Sequence, residues 1–324
     1  MNTVRPIFVV GYARSGTTLL SVMLHAHPRI AMPPETRFLL SVYDNRASFG
    51  DLGREDNRRR LAVSITEDVR FGDLKLDRDR LVDEIVAAPP TVGSAAGTVW
   101  RAFARSHGKA RWGEKRPAYW QRMDVILRLF PNAQFVHLVR DGRACVASLK
   151  TVDWYPFASR TAMTAWSLAE ARLTRLGRRL PAGSYHHLRY EDLLADPRRE
   201  LEALCGFLGE DFDEGMLQYA RAADAIVPGR KTWHDRTRGS LDTSRIEAWR
   251  STLSAAEIGL SERVLARPLT ANGYALSGAG TDPPIREVLG YERARLRRRR
   301  EMTLEQARDA IRVRRDGVPV ADQG

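Results

Sequence analysis

Cysteine is nearly absent from this chain of 324 residues: only Cys145 and Cys205 occur. Two isolated thiols cannot build a disulfide framework, and neither sits at a metal-ligand spacing. The adjacent His186 and His187 also lack companions at such a spacing, so no metal is expected. Long apolar runs are missing as well. The run before Gly11, Ile7–Val10, is four residues long, too short for the apolar stretch of a secretory signal. Nothing approaches the ~20 apolar residues of a membrane span. These absences predict a soluble, cytoplasmic protein without a membrane span. Lysine is scarce too, with Lys75, Lys109, Lys115, Lys150 and Lys231 among 52 basic residues. The arginine bias carries no chemistry of its own, but it makes each lysine informative.

Hydrophobic residues make up 43% of the chain, enough for one large domain with a sizeable core. The formal net charge is +12, unevenly spread. Between Arg286 and Arg315 eleven arginines face five acids, so half of the excess lies in about a tenth of the length. The remainder suits an enzyme with a polyanionic cosubstrate, because focused positive potential raises encounter rates.

Short apolar runs recur, each followed by a helical pattern. Strands are predicted at Ile7–Val10, Ile30–Met32, Arg111–Glu114, Gln134–Val139 and Ser184–Leu188, the third being the weakest. Helices are predicted at Asp79–Ala88, Tyr119–Phe130, Ala162–Leu180, Pro197–Leu208 and Ala255–Leu265. This alternation predicts an α/β fold of the P-loop type, three layers with a central parallel sheet flanked by helices. Ligands in such sheets bind at the carboxyl ends of the strands. The segment Ala220–Thr243 has little periodicity and reads as a long surface loop. Residues 1–280 are expected to form the main domain and residues 281–324 a basic helical C-terminal extension, joined through Gly278–Pro284. Leu289, Leu296, Leu304 and Ile311 recur at near-helical spacing in the extension, which predicts packing on its own domain or on a second subunit as a homo-oligomer. Tyr291 is the one aromatic among those arginines, which argues against a nucleic-acid surface.

Two motifs carry the chemistry. Residues 7–18 pass from an apolar run into a turn bounded by Gly11 and Gly16, and a helical pattern follows at once. A strand, a tight glycine loop and a helix N-terminus together make an anion site. Its Gly-x-x-x-x-Gly spacing is that of a Walker loop, but Thr17 stands where a nucleotide triphosphatase places lysine. A shorter anion than a triphosphate is therefore expected, and a P-loop small-molecule kinase is the weaker alternative. In the second motif a buried strand delivers Arg140 at its end, Asp141 and Gly142 turn into a helix, and Ser148 lies two turns along. Arginine and a serine hydroxyl on rigid elements can clamp a terminal phosphate; an ordinary ion pair of Arg140 with Asp141 is the competing reading.

The loop at Arg14, Ser15, Gly16, Thr17 and Thr18 resembles the 5′-phosphosulfate loop of sulfotransferases that use 3′-phosphoadenosine 5′-phosphosulfate (PAPS). Val139-Arg140-Asp141-Gly142-Arg143 with Ser148 resembles their 3′-phosphate motif, and Leu188–Leu193 resembles the segment that places a tyrosine near the nucleotide. His25 to Arg37, with Pro33-Pro34-Glu35, is similar to the tyrosylprotein sulfotransferases and their bacterial relatives. The resemblance implies that Arg14 to Thr18 hold the phosphosulfate, Arg140 and Ser148 the 3′-phosphate, and that Tyr190 contacts the nucleotide. It implies Glu35 as catalytic base and Lys115 as a stabiliser of the transferring group. That branch carries a further arginine where this chain has Val152, and Lys150 or Arg245 is the expected substitute.

Transfer to a hydroxyl needs a base, positive charge on the bridging oxygen and in-line geometry. Glu35 follows two prolines just past a strand end, while Arg14 and Lys115 can neutralise developing charge. Its other reading is an acid at a helix N-terminus. A histidine base is not expected, since His25, His27, His107, His137 and His234 read as packing or capping residues. The expected activity is O-sulfation with PAPS of an alcohol or phenol, on a tyrosyl peptide, sugar, lipid or secondary metabolite. A non-catalytic nucleotide- or RNA-binding protein is a further alternative.

Overall fold

The computed structural model describes residues 5–323 apart from 228, 230–238 and 240; Lys231 and His234 lie outside the described residues, as does much of the loop read at Ala220–Thr243. Strands β1 (Ile7–Val10), β2 (Ile30–Ala31), β3 (Arg111–Lys115), β4 (Gln134–Val139) and β5 (Tyr185–Arg189) form one sheet in the order β2-β3-β1-β4-β5. Every neighbouring pair is parallel. β1 is central and wholly buried, as an unbroken apolar strand covered on both faces must be.

Helices cover the sheet. α1 (Thr17–Ala26) follows β1; α2 (Phe38–Asp44), α3 (Glu55–Thr66), α4 (Arg78–Ala87) and α5 (Val92–Ser106) lie between β2 and β3. α6 (Met123–Leu129) precedes β4, while α7 (Gly142–Leu149) and α8 (Ser159–Gly177) precede β5. After β5 come α9 (Tyr190–Ala195), α10 (Pro197–Leu208), α11 (Ala223–Ile226), α12 (Trp249–Thr252), α13 (Ala255–Ala271) and α14 (Ile285–Asp316). The helix expected over Tyr119–Phe130 is instead a 3-10 turn, Pro117–Arg122, followed by α6. The region read as loop from Ala220 holds the end of a 3-10 helix and then α11.

β3 reads poorly as a strand because three of its five residues are ionisable, yet all five are buried. Arg111 donates to the Leu208 carbonyl at 2.6 Å and pairs with Glu210 at 3.3 Å, so its charge is met inside. α5 was not anticipated. It contains Gly93 and Gly97, poor helix formers, and the need for glycine comes from a distant segment. A Cβ on Gly93 would stand 2.4 Å from the Asp322 amide nitrogen, where the chain terminus crosses the helix. The Gly93 amide donates to the Val320 carbonyl at 2.7 Å, and Arg101 pairs with Asp322 at 2.9 Å.

α14 lies on the domain through buried polar contacts. Its Tyr291 hydroxyl donates to Ser167 at 2.8 Å. Asp309, 3% exposed, accepts from Arg128 at 2.6 Å and from the Tyr43 hydroxyl at 2.9 Å. Arg46, 1% exposed, stands 3.7 Å from Asp309 and 3.4 Å from Asp316. Removing one partner of such a group leaves buried charge uncompensated, at a cost of about 3–5 kcal/mol. Asp309→Ala is therefore expected to lose stability of that order in chemical denaturation. A loss below about 1 kcal/mol, the size of a surface pair, would show that the cluster does not hold the helix.

Candidate active site

All five strands end at one edge, and a cavity of about 1210 Å³ opens there. The loop after β1 supplies Arg14, Gly16, Thr17 and Thr18 to its wall; the segment after β2 supplies Glu35. β3 ends in Lys115, Arg140 follows β4, and Tyr190 follows β5. Ser148 on α7 and Arg245 complete the sequence-predicted residues that line it. Ser15 does not: its hydroxyl donates back to the Tyr12 carbonyl at 2.7 Å and shapes the turn.

The loop's backbone takes a form that directs it at the cavity. Gly16 at φ +94° caps α1, and a Cβ there would stand 2.4 Å from the Tyr190 ring. Arg14 is left-handed at φ +69°, uncommon for a residue with a side chain. In that conformation its Nε donates to the Ser148 hydroxyl at 3.0 Å, joining the two motifs.

Arg140 stacks over the Tyr190 ring at 4.6 Å, and its two terminal nitrogens donate to the carbonyls of Arg14 and Arg245 at 3.1 Å each. Its Nε is buried and finds no hydrogen-bond partner among the described residues. It makes no salt bridge with Asp141, which pairs with Arg143 at 2.7 Å. Of the two proposed substitutes for the missing arginine, Arg245 lines the cavity, whereas Lys150 is engaged by Glu257 at 2.8 Å outside it. Lys115 bridges Glu35 and the loop, reaching Glu35 at 3.2 Å and the Thr18 hydroxyl at 3.3 Å. Glu35 precedes α2 by three residues and does not sit in its first turn.

His25, His27 and His137 lie off the cavity wall. Burial pushes His25 down to about 3, so it is neutral, and its Nδ1 accepts the Met32 amide. Among the described residues, no group of three His, Cys, Asp or Glu is placed to hold a metal ion.

A model of the family described as "Sulfotransferase family" matches residues 6–214, which contain both motifs, Glu35, Lys115 and Tyr190. The chain belongs to the sulfotransferase family. Nodulation protein NoeE of Sinorhizobium fredii is 28% identical over 295 residues, 83% of this chain and 66% of that protein. Protein-tyrosine sulfotransferase 2 of Gallus gallus is 28% identical over 223 residues, 66% of this chain and 53% of that one. The chain thus spans between half and two thirds of the length of these relatives. Among solved structures, the sulfotransferase domain of a Synechococcus olefin synthase superposes with a TM-score of 0.58 at 25% identity, over 85% of this chain and 98% of that one. The sulfotransferase domain from the curacin biosynthetic pathway gives 0.60 at 20% identity, over 85% and 100%, and supports the fold.

Sequence reasoning missed several features of the site. Trp120, Trp154 and Tyr155 line the cavity with Arg37 and Arg116. Trp249 lines it under Arg143, whose guanidinium lies 4.0 Å from the indole centroid. Glu114 lies beneath the Glu35–Lys115 pair, on the opposite face of β3 from Lys115, because alternate strand residues point to opposite sides. It is fully buried, accepting from the Thr36 hydroxyl at 2.8 Å and the Tyr119 hydroxyl at 3.3 Å. Desolvation first, with the nearby Glu35 charge, pushes Glu114 up to about 7. An acid inside a strand beside the informative lysine was the available signal.

The native state therefore holds a proton on Glu114 that the unfolded chain releases near pH 4.5. Its stability is fully present below that pH and is lost as pH rises through about 7. Glu114→Gln, a permanent mimic of the neutral acid, is expected to gain on the natural chain by up to about 3 kcal/mol between pH 5 and pH 8. Denaturation at the two pH values checks this, and a constant difference would remove the assignment.

Proposed function

We propose that the protein moves a sulfuryl group from PAPS to a hydroxyl acceptor, and that the cavity at the carboxyl ends of the strands holds both substrates. The observation that carries this reading is the convergence of Arg14, Lys115, Arg140 and Glu35 on that cavity. The unpartnered Arg140 Nε and the Tyr190–Gly16 contact fit the nucleotide. A phosphate oxygen would accept from Nε, and the flush ring leaves a flat wall for a base. Arg140 and Ser148 would hold the 3′-phosphate, with Arg245 beside them, and Tyr190 would face the adenine. Arg14, Gly16, Thr17 and Thr18 would hold the 5′-phosphosulfate, with Ser15 fixing their turn.

In the transfer, the acceptor oxygen forms a bond to sulfur as the bond from sulfur to the bridging phosphate oxygen breaks. Glu35 takes the hydroxyl proton, and Lys115 and Arg14 face the negative charge left on the bridging oxygen of 3′,5′-ADP. The Lys115 contact to Thr18 sets that cation between base and loop. A phenol or an alcohol suits this geometry equally, so tyrosyl peptides, sugars, lipids and secondary metabolites are the acceptor classes to screen. Trp120, Trp154 and Tyr155 supply an aromatic wall for the acceptor. Two buried free thiols, Cys145 and Cys205, suit a cytoplasmic setting.

Arg140→Ala is expected to weaken 3′,5′-ADP binding by roughly ten- to a hundredfold, the 1.5–3 kcal/mol of a charge-assisted contact, while AMP binding barely changes. Equal losses for both nucleotides in calorimetry would sink the clamp.

Glu35→Gln keeps shape and removes the proton acceptor. Turnover of PAPS with a screened acceptor is expected to fall by roughly 10²–10⁴-fold, with 3′,5′-ADP affinity unchanged. Unchanged turnover would move the base elsewhere.

A further inference from the structure

Half of the large apolar side chains exposed among the described residues lie on one helix. Of ten, five are on α14: Ile285, Leu289, Leu296, Leu304 and Ile311, between 46% and 72% exposed. At 100° per residue they fall within a sector of about 100° on the helix surface. That sector faces away from the side carrying the buried Tyr291, Met302 and Asp309.

Charge divides the same way. Four of the six acids of α14 reach the body of the protein: Glu287 to Arg160 at 3.0 Å, Glu305 to Arg122 at 3.3 Å, Asp309 to Arg128 at 2.6 Å and Asp316 to Arg46 at 3.4 Å, while Glu292 and Glu301 pair along the helix with Arg295 at 2.8 Å and Arg298 at 3.1 Å. Nine of the eleven arginines of α14 are exposed. Arg293, Arg300 and Arg314 stand within the aliphatic sector and are exposed, with Arg286, Arg297 and Arg315 along its edge.

We propose that the outer face of α14 docks on an anionic phospholipid surface. Aliphatic side chains at this spacing enter the boundary between headgroups and acyl chains, while arginines beside them reach out to lipid phosphates. Clustered basic residues on an amphipathic helix are attracted by anionic lipid headgroups. The helix lies along the surface and does not cross it, since no helix among the described residues is long and apolar enough to span. A second copy of this face would bring two rows of arginines together, and the exposed aliphatic side chains offer nothing to a nucleic acid, which needs aromatic stacking beside its basic groups.

The test uses the full chain in cosedimentation with vesicles of phosphatidylcholine alone and of phosphatidylcholine with phosphatidylserine. The natural protein is expected to partition at least tenfold more strongly onto the anionic vesicles. The combined variant Leu289→Ser, Leu296→Ser, Leu304→Ser and Ile311→Ser is expected to lose at least tenfold of that binding, although its charge is unchanged. Those positions are exposed, so its melting temperature and 3′,5′-ADP binding should match the natural chain. A variant that still binds as the natural protein does would show attraction by charge alone and overturn the proposal. So would a dimer in light scattering that the variant converts to monomer, or RNA binding that competes fully with the vesicles and weakens equally in the variant.

Discussion

The cavity depends on one close contact, the Tyr190 ring lying against the backbone of Gly16. Only a residue without Cβ leaves room there, and the φ of +94° that caps α1 suits glycine for a second reason. The contact joins the loop after β1 to the segment after β5, two strands that are not neighbours in the sheet. Arg140, at the end of the intervening β4, then has a ring to stack on and the Arg14 carbonyl within reach.

Two arginines three residues apart show how environment either cancels a charge or leaves it in place. Arg143 is saturated by carboxylates, with Asp141 at 2.7 Å and Glu262 at 2.5 Å, and its charge is cancelled in place. Arg140 is fixed by two carbonyls and an aromatic face, which orient it without neutralising it. A guanidinium prepared in this way keeps its charge available to an anion, and its orientation needs no further ordering when the anion arrives. Asp141 serves the site by occupying Arg143 and by capping α7, where it accepts the Arg143 amide at 2.8 Å.

The sheet was legible because strands buried on both faces are dominated by apolar residues, throughout Ile7–Val10 and at all but Gln134 and His137 of Gln134–Val139. The site residues with motif spacing were legible for a related reason: in a parallel sheet the loops at strand ends converge whatever the intervening helices do. What escaped notice was set by distant chain. Gly93 and Gly97 weaken α5 as a local pattern, and only the crossing of Asp322 over them explains their use. Glu114 is an acid in a strand interior, and its role depends on Thr36 and Tyr119 arriving from two other segments. The Trp154 and Tyr155 wall carries no spacing rule at all.

The same limit applies to α14, whose composition reads as a basic helix with a hydrophobic repeat. Its leucines suggest an inward face if periodicity is taken alone, since apolar stripes normally turn to the core. Here the inward face is made by Tyr291, Met302 and Asp309 instead. Buried ion pairs fix the orientation of the helix: rotating it to bury the leucines would strip Arg46 of both Asp309 and Asp316. Leaving that guanidinium buried and unpaired costs more than the burial of one or two leucines returns. The apolar stripe therefore stays outside because Asp309 and Asp316 hold the opposite face of the helix against Arg128 and Arg46 on the body of the protein.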